Sequence, residues 1–251
     1  MRWAIGQKTS RGRVGSEGSP ARSRLETHAI RVHRTARYVT LGGAGDVREV
    51  WLACHGYGQI APRWARHFQP LARPDRLVIV PEGLSRFYLD DRYQKVGASW
   101  MTRDGREDEI ADHVGYLDAV LREAAGRASV DATAVRLVGF GFSQGAATVT
   151  RWLERSPLAA SRERRADRLL LWGGRLPHDL DLAAHRDWLE TADLTLIAGD
   201  RDAFATPARV IEQERMLRSA GIPHRVVSFS GEHRLNARVL ARLAEAPAEA
   251  E

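Results

Sequence analysis

Cysteine occurs once in this chain of 251 residues, as Cys54. A single thiol excludes an internal disulfide and a cysteine-rich metal site. It ends the apolar run Val50-Trp51-Leu52-Ala53-Cys54, so it reads as a small buried hydrophobe. No His, Cys and Asp cluster at ligand spacing is present, and no metal site is expected. Lysine is nearly as scarce: Lys8 and Lys95 are the only two among 38 basic residues. That skew towards arginine reads as the codon bias of a GC-rich genome, not as selection for phosphate contacts. Long hydrophobic runs are missing as well. None approaches the roughly 18 residues needed to span a bilayer, so no integral membrane segment is expected. The basic residues before Glu26 have no apolar stretch behind them, which argues against a secretory signal and makes the cytoplasm the expected location.

The net charge is +6, and it is unevenly placed. Arg2, Lys8, Arg11, Arg13, Arg22 and Arg24 face only Glu17 and Glu26 within residues 1–27, leaving that segment most of the excess. A nucleic-acid reader concentrates its charge on the folded domain, so no nucleic-acid partner is expected. Residues 1–27, rich in Gly, Ser and Arg and without periodicity, read as a flexible basic extension. Residues 28–251 read as one domain, and a hydrophobic content of 43% gives it enough apolar surface for a core.

Short apolar strands alternate with amphipathic helices from there on. Ile30–Thr40 and Glu49–Cys54 read as two strands around the turn Gly42–Asp46, an antiparallel start. Arg63–Ala72 reads as a helix with Trp64, Phe68 and Leu71 on one face. Leu77–Val80, Val135–Phe140, Leu169–Trp172, Leu194–Ile197 and Arg225–Phe229 read as further strands. Glu107–Ala125, Gln144–Arg155, Pro207–Ser219 and Leu235–Ala246 read as helices, and Asp91–Gly105 as irregular chain. Thr206 and Pro207 form a cap and a first helical residue. This order predicts an α/β fold: a mostly parallel central sheet, helices on both faces and antiparallel N-terminal strands. Ligands of such sheets gather at the carboxyl ends of the strands.

Four motifs lie at strand ends. Gly141-Phe142-Ser143-Gln144-Gly145 follows one strand and opens a helix, the context a G-x-S-x-G nucleophile elbow requires. His55-Gly56-Tyr57-Gly58 follows another, and its glycines let backbone approach a substrate. Backbone N–H groups of Tyr57 and Gln144 are the expected oxyanion donors, with Gly56 beside them. Gly199-Asp200-Arg201-Asp202 and Gly231-Glu232-His233 follow two late strands. Serine needs a base, imidazole suits that role, and a carboxylate fixes the imidazole's tautomer. His233 is the expected base. Asp202 is preferred over Asp200 as its partner, because Asp200 still belongs to the chain leaving the sheet. His55 reads as structural. Gly56 and Trp100 are expected to bind substrate, with Trp100 and Tyr57 lining an acyl pocket.

The elbow, the H-G-x-G loop, the G-D-x-D loop and the late G-x-H together resemble the phospholipase/carboxylesterase family, acyl-protein thioesterases included, over roughly residues 45–245. The resemblance implies an α/β-hydrolase fold, no cofactor and a Ser143-His233-Asp202 triad acting through an acyl-enzyme. The substrate it implies is a small-molecule carboxylic ester; a thioester or lysophospholipid is the alternative, and a peptide a more distant one. The chain departs from the family where Gln59 replaces an aspartate of the oxyanion loop and where Trp100-Met101-Thr102 replaces a tryptophan-aromatic-aspartate stretch. Residues 83–97 match nothing in the pattern. Nothing in the sequence specifies an oligomeric state.

Overall fold

A computed structural model of the chain describes residues 25–245. Two units are distinguished, divided between Thr35 and Ala36. Residues 25–35 carry no regular secondary structure. Most of the extension expected over 1–27, and Ala246 of the last helix, lie outside the described residues.

In the second unit, strands β1 (Tyr38–Gly42), β2 (Glu49–Cys54) and β3 (Arg76–Pro81) open the fold. A separate hairpin follows, β4 (Ser85–Tyr88) and β5 (Val96–Ser99). Strands β6 (Arg136–Phe142), β7 (Arg168–Trp172), β8 (Asp193–Gly199) and β9 (Arg225–Phe229) complete a seven-stranded sheet in the order β1-β3-β2-β6-β7-β8-β9. Only β1 runs antiparallel to its neighbour. Helices are α1 (Ala61–Trp64), α2 (Arg106–Arg127), α3 (Gln144–Arg155), α4 (Pro157–Ala160), α5 (Arg186–Thr191), α6 (Pro207–Ser219) and α7 (Ala237–Glu245).

Strict alternation along the central strands builds two cores. Val50, Leu52 and Cys54 of β2 face a layer made with α2 and α3, including Leu117, Leu121, Val149 and Trp152. Trp51 and Ala53 face the opposite layer, with Trp64, Phe68 and Leu240. Successive strand side chains point to opposite faces. A strand apolar at every position therefore suits only a sheet covered on both sides. Each large apolar side chain so buried contributes about 1.5–3 kcal/mol.

Three local expectations are corrected. The first strand begins at Tyr38, not Ile30, and pairs with β3 rather than forming a hairpin with β2. Fully buried β2 takes two parallel neighbours, β3 and β6, leaving no edge for β1. The glycine turn instead crosses the loop before β3, where Gly43 and Gly45 N–H donate to Arg73 and Pro74 carbonyls. Gly42, at φ +72°, leaves no room there: a Cβ would lie 2.3 Å from Arg76 O. The helix expected over 63–72 is α1 followed by a 3₁₀ segment, Ala65–Leu71, with Pro70 inside it. Proline removes a backbone donor and disrupts an α-helix, yet Trp64, Phe68 and Leu71 still share a buried face. Finally, Asp91–Gly105, expected to be irregular, contains strand β5, whose pairing with β4 makes a hairpin.

Candidate active site

The order in which strands are added reverses between β2 and β6, parallel neighbours with Cys54 opposite Gly141. The H-G-x-G loop and the serine turn therefore leave the sheet next to each other, at the switch point where ligands bind in such folds.

Ser143 sits at φ 54° and ψ −116°, strained for a residue with a side chain. Its N–H donates to Trp172 O of β7 at 2.9 Å, continuing the sheet ladder into the turn. The flanking glycines are sterically required. A Cβ on Gly141 would lie 2.4 Å from Ala146 Cα and from Gly145 O; one on Gly145 would lie 2.1 Å from Cys54 O.

Three side chains from three loops meet here. Ser143 Oγ and His233 Nε2 are 3.0 Å apart, and His233 Nδ1 is 2.7 Å from Asp202 Oδ2. Asp202 is 3% exposed, and its other oxygen accepts from Phe204 and Ala205 N–H, both at 2.8 Å. Asp200 turns the other way and accepts from Gly231 N–H at 2.9 Å, bracing the histidine loop. Phe142 and Phe204 flank the imidazole, with ring centroids at 4.8 and 4.6 Å.

Among the described residues, Tyr57 N–H and Gln144 N–H donate to no protein acceptor, whereas the N–H groups of Gly56, Gly58 and Ser143 are engaged. Gly58 N–H reaches Ala98 O at 2.9 Å and Gly56 N–H reaches Gln59 Oε1 at 2.8 Å. Gln59 thus supplies an acceptor within the loop where the family resemblance expected a carboxylate. The Gln144 side chain is clamped as well: its Nε2 donates to Met101 O at 2.9 Å and its Oε1 accepts from Trp100 N–H at 3.2 Å.

His55 is buried, and its ring is fully used. Nδ1–H donates to Gly56 O at 2.8 Å, so Nε2 accepts from Gly83 N–H at 3.0 Å. Burial pushes this imidazole from the ordinary 6.5 down to about 4. Such a group is a neutral strut, not a base.

Ser143 opens onto a cavity of about 280 Å³ lined by Gln144, Ala147, Gly173, Gly174, Ala198, Phe204 and Gln213, among others. Trp100, Tyr57 and Gly56, expected there, do not line it. Trp100 is 2% exposed; its Nε1 donates to His55 O at 2.8 Å and its ring lies 4.9 Å from that of His55. The indole is too large and apolar to stay outside the core once the His55 carbonyl satisfies its one polar atom. Gly56 lies beneath Phe142, where a Cβ would meet Cδ1 at 2.9 Å. Tyr57 is 60% exposed, and its ring leans on Phe87 of β4. The sequence reading missed Gly173 and Gly174. Gly173, at φ +57°, faces His233 and Asp202, and a Cβ on Gly174 would lie 2.5 Å from Ser143 O. The double glycine ending an apolar strand was the available signal. Among the described residues no group of three or more His, Cys, Asp or Glu side chains is arranged to hold a metal, and no helix is long and apolar enough to cross a membrane.

No family model matches the chain, and no curated protein does. Solved structures do. The chain is similar to a carboxylesterase from Mesorhizobium loti (19% identity, TM-score 0.62, covering 84% of this chain and 95% of that one). It is also similar to acyl-protein thioesterase 2 of Zea mays (17%, TM-score 0.59, 84% and 97%). A carboxylesterase of Bacillus cereus aligns comparably (18%, TM-score 0.58, 84% and 92%). The fold is that of the α/β-hydrolases, as expected. These neighbours are carboxylesterases and an acyl-protein thioesterase, the kinds of protein whose motifs the sequence resembles.

Proposed function

We propose that this chain is a serine hydrolase that cleaves carboxylic esters through an acyl-enzyme. One observation carries the reading: Ser143, His233 and Asp202 form a continuous hydrogen-bonded chain that opens into a cavity. His233 Nε2 takes the Ser143 proton as Oγ adds to the ester carbonyl. The oxyanion is held by Tyr57 and Gln144 N–H, and Asp202 stabilises the imidazolium. Collapse expels the alcohol, which leaves with the proton from Nε2. Water then gives a proton to Nε2 and adds to the acyl carbon; collapse expels Ser143 Oγ, which takes that proton back from Nε2 as the acid is released. A cavity of about 280 Å³ sits at the small end of ligand pockets and favours short to medium acyl groups. Thioesters of the same acyl groups would react by the same steps, a possibility supported by the thioesterase among the fold's neighbours.

The test combines labelling and turnover. A phosphonate probe followed by peptide mass spectrometry should mark Ser143 alone. Turnover of p-nitrophenyl esters should fall by several orders of magnitude in Ser143→Ala with the fold retained. Equal labelling of the alanine variant, or unchanged turnover, would reject the assignment.

A further inference from the structure

The residues lining the Ser143 cavity include two arginines, Arg175 and Arg209, and no Asp or Glu. Arg175 directly follows Gly173-Gly174 at the end of β7 and is exposed. Among the described residues it has no hydrogen bond or ion pair. The acid nearest in sequence, Asp179, is already engaged by Arg106 and Arg151, both at 2.7 Å. Arg209 lies in the first turn of α6. Its Nη1 donates to Phe204 O at 2.7 Å, tying it to the residue whose ring packs on His233. No carboxylate pairs with it among the described residues. A second cavity of about 140 Å³ adjoins the first and shares Arg175, Arg209 and Gln213. Its one acid, Glu212, lies outside the Ser143 cavity and faces Arg215 at 3.9 Å.

The two arginines thus stand where the cavities meet, line the same cavity as Ser143, and pair with no carboxylate among the described residues. Guanidinium groups bind planar anions through paired N–H donors, and a partly enclosed cavity strengthens that attraction over bulk water. We propose that the ester cleaved here carries a second, anionic group, a carboxylate or a phosphate, that docks between Arg175 and Arg209. The inference rests on the serine-hydrolase reading and narrows its substrate class.

Two matched pairs test it. Mono-p-nitrophenyl glutarate against p-nitrophenyl pentanoate places the anion on the acyl side. 1-Butyrylglycerol 3-phosphate against 1-butyrylglycerol places it on the alcohol side. In one pair the anionic member should show at least about tenfold higher kcat/KM, carried by KM. Raising salt should shrink the ratio, and Arg175→Gln with Arg209→Gln should bring it close to one. Hydrolysis of the neutral esters with no anionic preference in either pair overturns this inference and leaves the hydrolase reading standing. Calorimetric titration of Ser143→Ala with monomethyl glutarate against methyl pentanoate, and with glycerol 3-phosphate against glycerol, reads the anion site without turnover. Tighter binding of the anionic member of one pair supports the proposal, and no tighter binding of the anion in either pair overturns it whatever the kinetics.

Discussion

Asp202 and His233 lie 31 residues apart in the chain, yet Asp202 Oδ2 stands 2.7 Å from His233 Nδ1. Asp200, two residues earlier, holds Gly231 N–H instead. The two carboxylates divide the work of one loop: one orients the imidazole, the other fixes the segment that carries it.

That division predicts opposite variants. Asn at 202 keeps an acceptor for Phe204 and Ala205 N–H but can hold the wrong histidine tautomer. Asp202→Asn should lower kcat by up to about 10⁴ with little change in Tm. Asp200→Ala removes one net hydrogen bond, about 1 kcal/mol, and should lower Tm by a few degrees while sparing most turnover. Steady-state kinetics and thermal melts of the pair decide it; an inactive, stable Asp200→Ala would reverse the roles.

Gly173→Ala tests the missed glycine. A side chain at φ +57° is strained, and its Cβ would lie 3.1 Å from His233 Nδ1 and 3.2 Å from Asp202 Oδ2. His233 must shift by tenths of an ångström. Small misplacements of reacting groups cost up to about 10²-fold, so kcat should fall roughly ten- to hundredfold with Tm nearly kept. Wild-type kcat in this variant would show that the imidazole is not held by this contact.

Gln59→Ala removes the acceptor of Gly56 N–H beside the proposed oxyanion donor. We expect kcat/KM to drop about tenfold or more. Gln59→Glu keeps an oxygen at the same reach and should restore most of it. If neither variant changes kcat/KM, this hydrogen bond does not position the loop.

The order of elements was legible because both signals are local. Short continuous apolar runs such as Val50–Cys54 and the helical spacing of Ile110, Val114, Leu117 and Leu121 are each written within one segment. The elbow was legible for the same reason, since its glycines answer to a turn of five residues. The β1 pairing was not, because it depends on β2 preferring β3 and β6, a competition between distant strands. Trp100 was misread for a related reason. An aromatic near a motif looks like a pocket wall until the His55 carbonyl is seen to accept its N–H. The β4–β5 hairpin lacks a long apolar run. Its contribution lies in bonds to the oxyanion loop, Gly58 N–H to Ala98 O and Ala98 N–H to Gln59 O, which no sequence window contains.

Two buried histidines contribute to the response to acid. His55 and His113 are fully buried, and burial pushes both imidazoles from 6.5 down to about 4; for His113 the Arg151 charge acts in the same direction. Between those values the unfolded chain binds protons that the folded chain refuses. Stability then rises with pH across that window. The contribution is fully present above about pH 6.5 and is lost as pH falls towards 4. Each shift corresponds to a loss on the order of 3 kcal/mol. Tm measured from pH 7.5 to 4 should be flat at first and then fall steeply below about pH 6.5. His113→Phe removes one titrating ring at similar volume, while His55 keeps its bond to Gly83 N–H. That variant should show a shallower acid slope, whatever its Tm at neutral pH. An unchanged slope would mean that His113 takes up its proton in the folded state and that burial does not govern its titration.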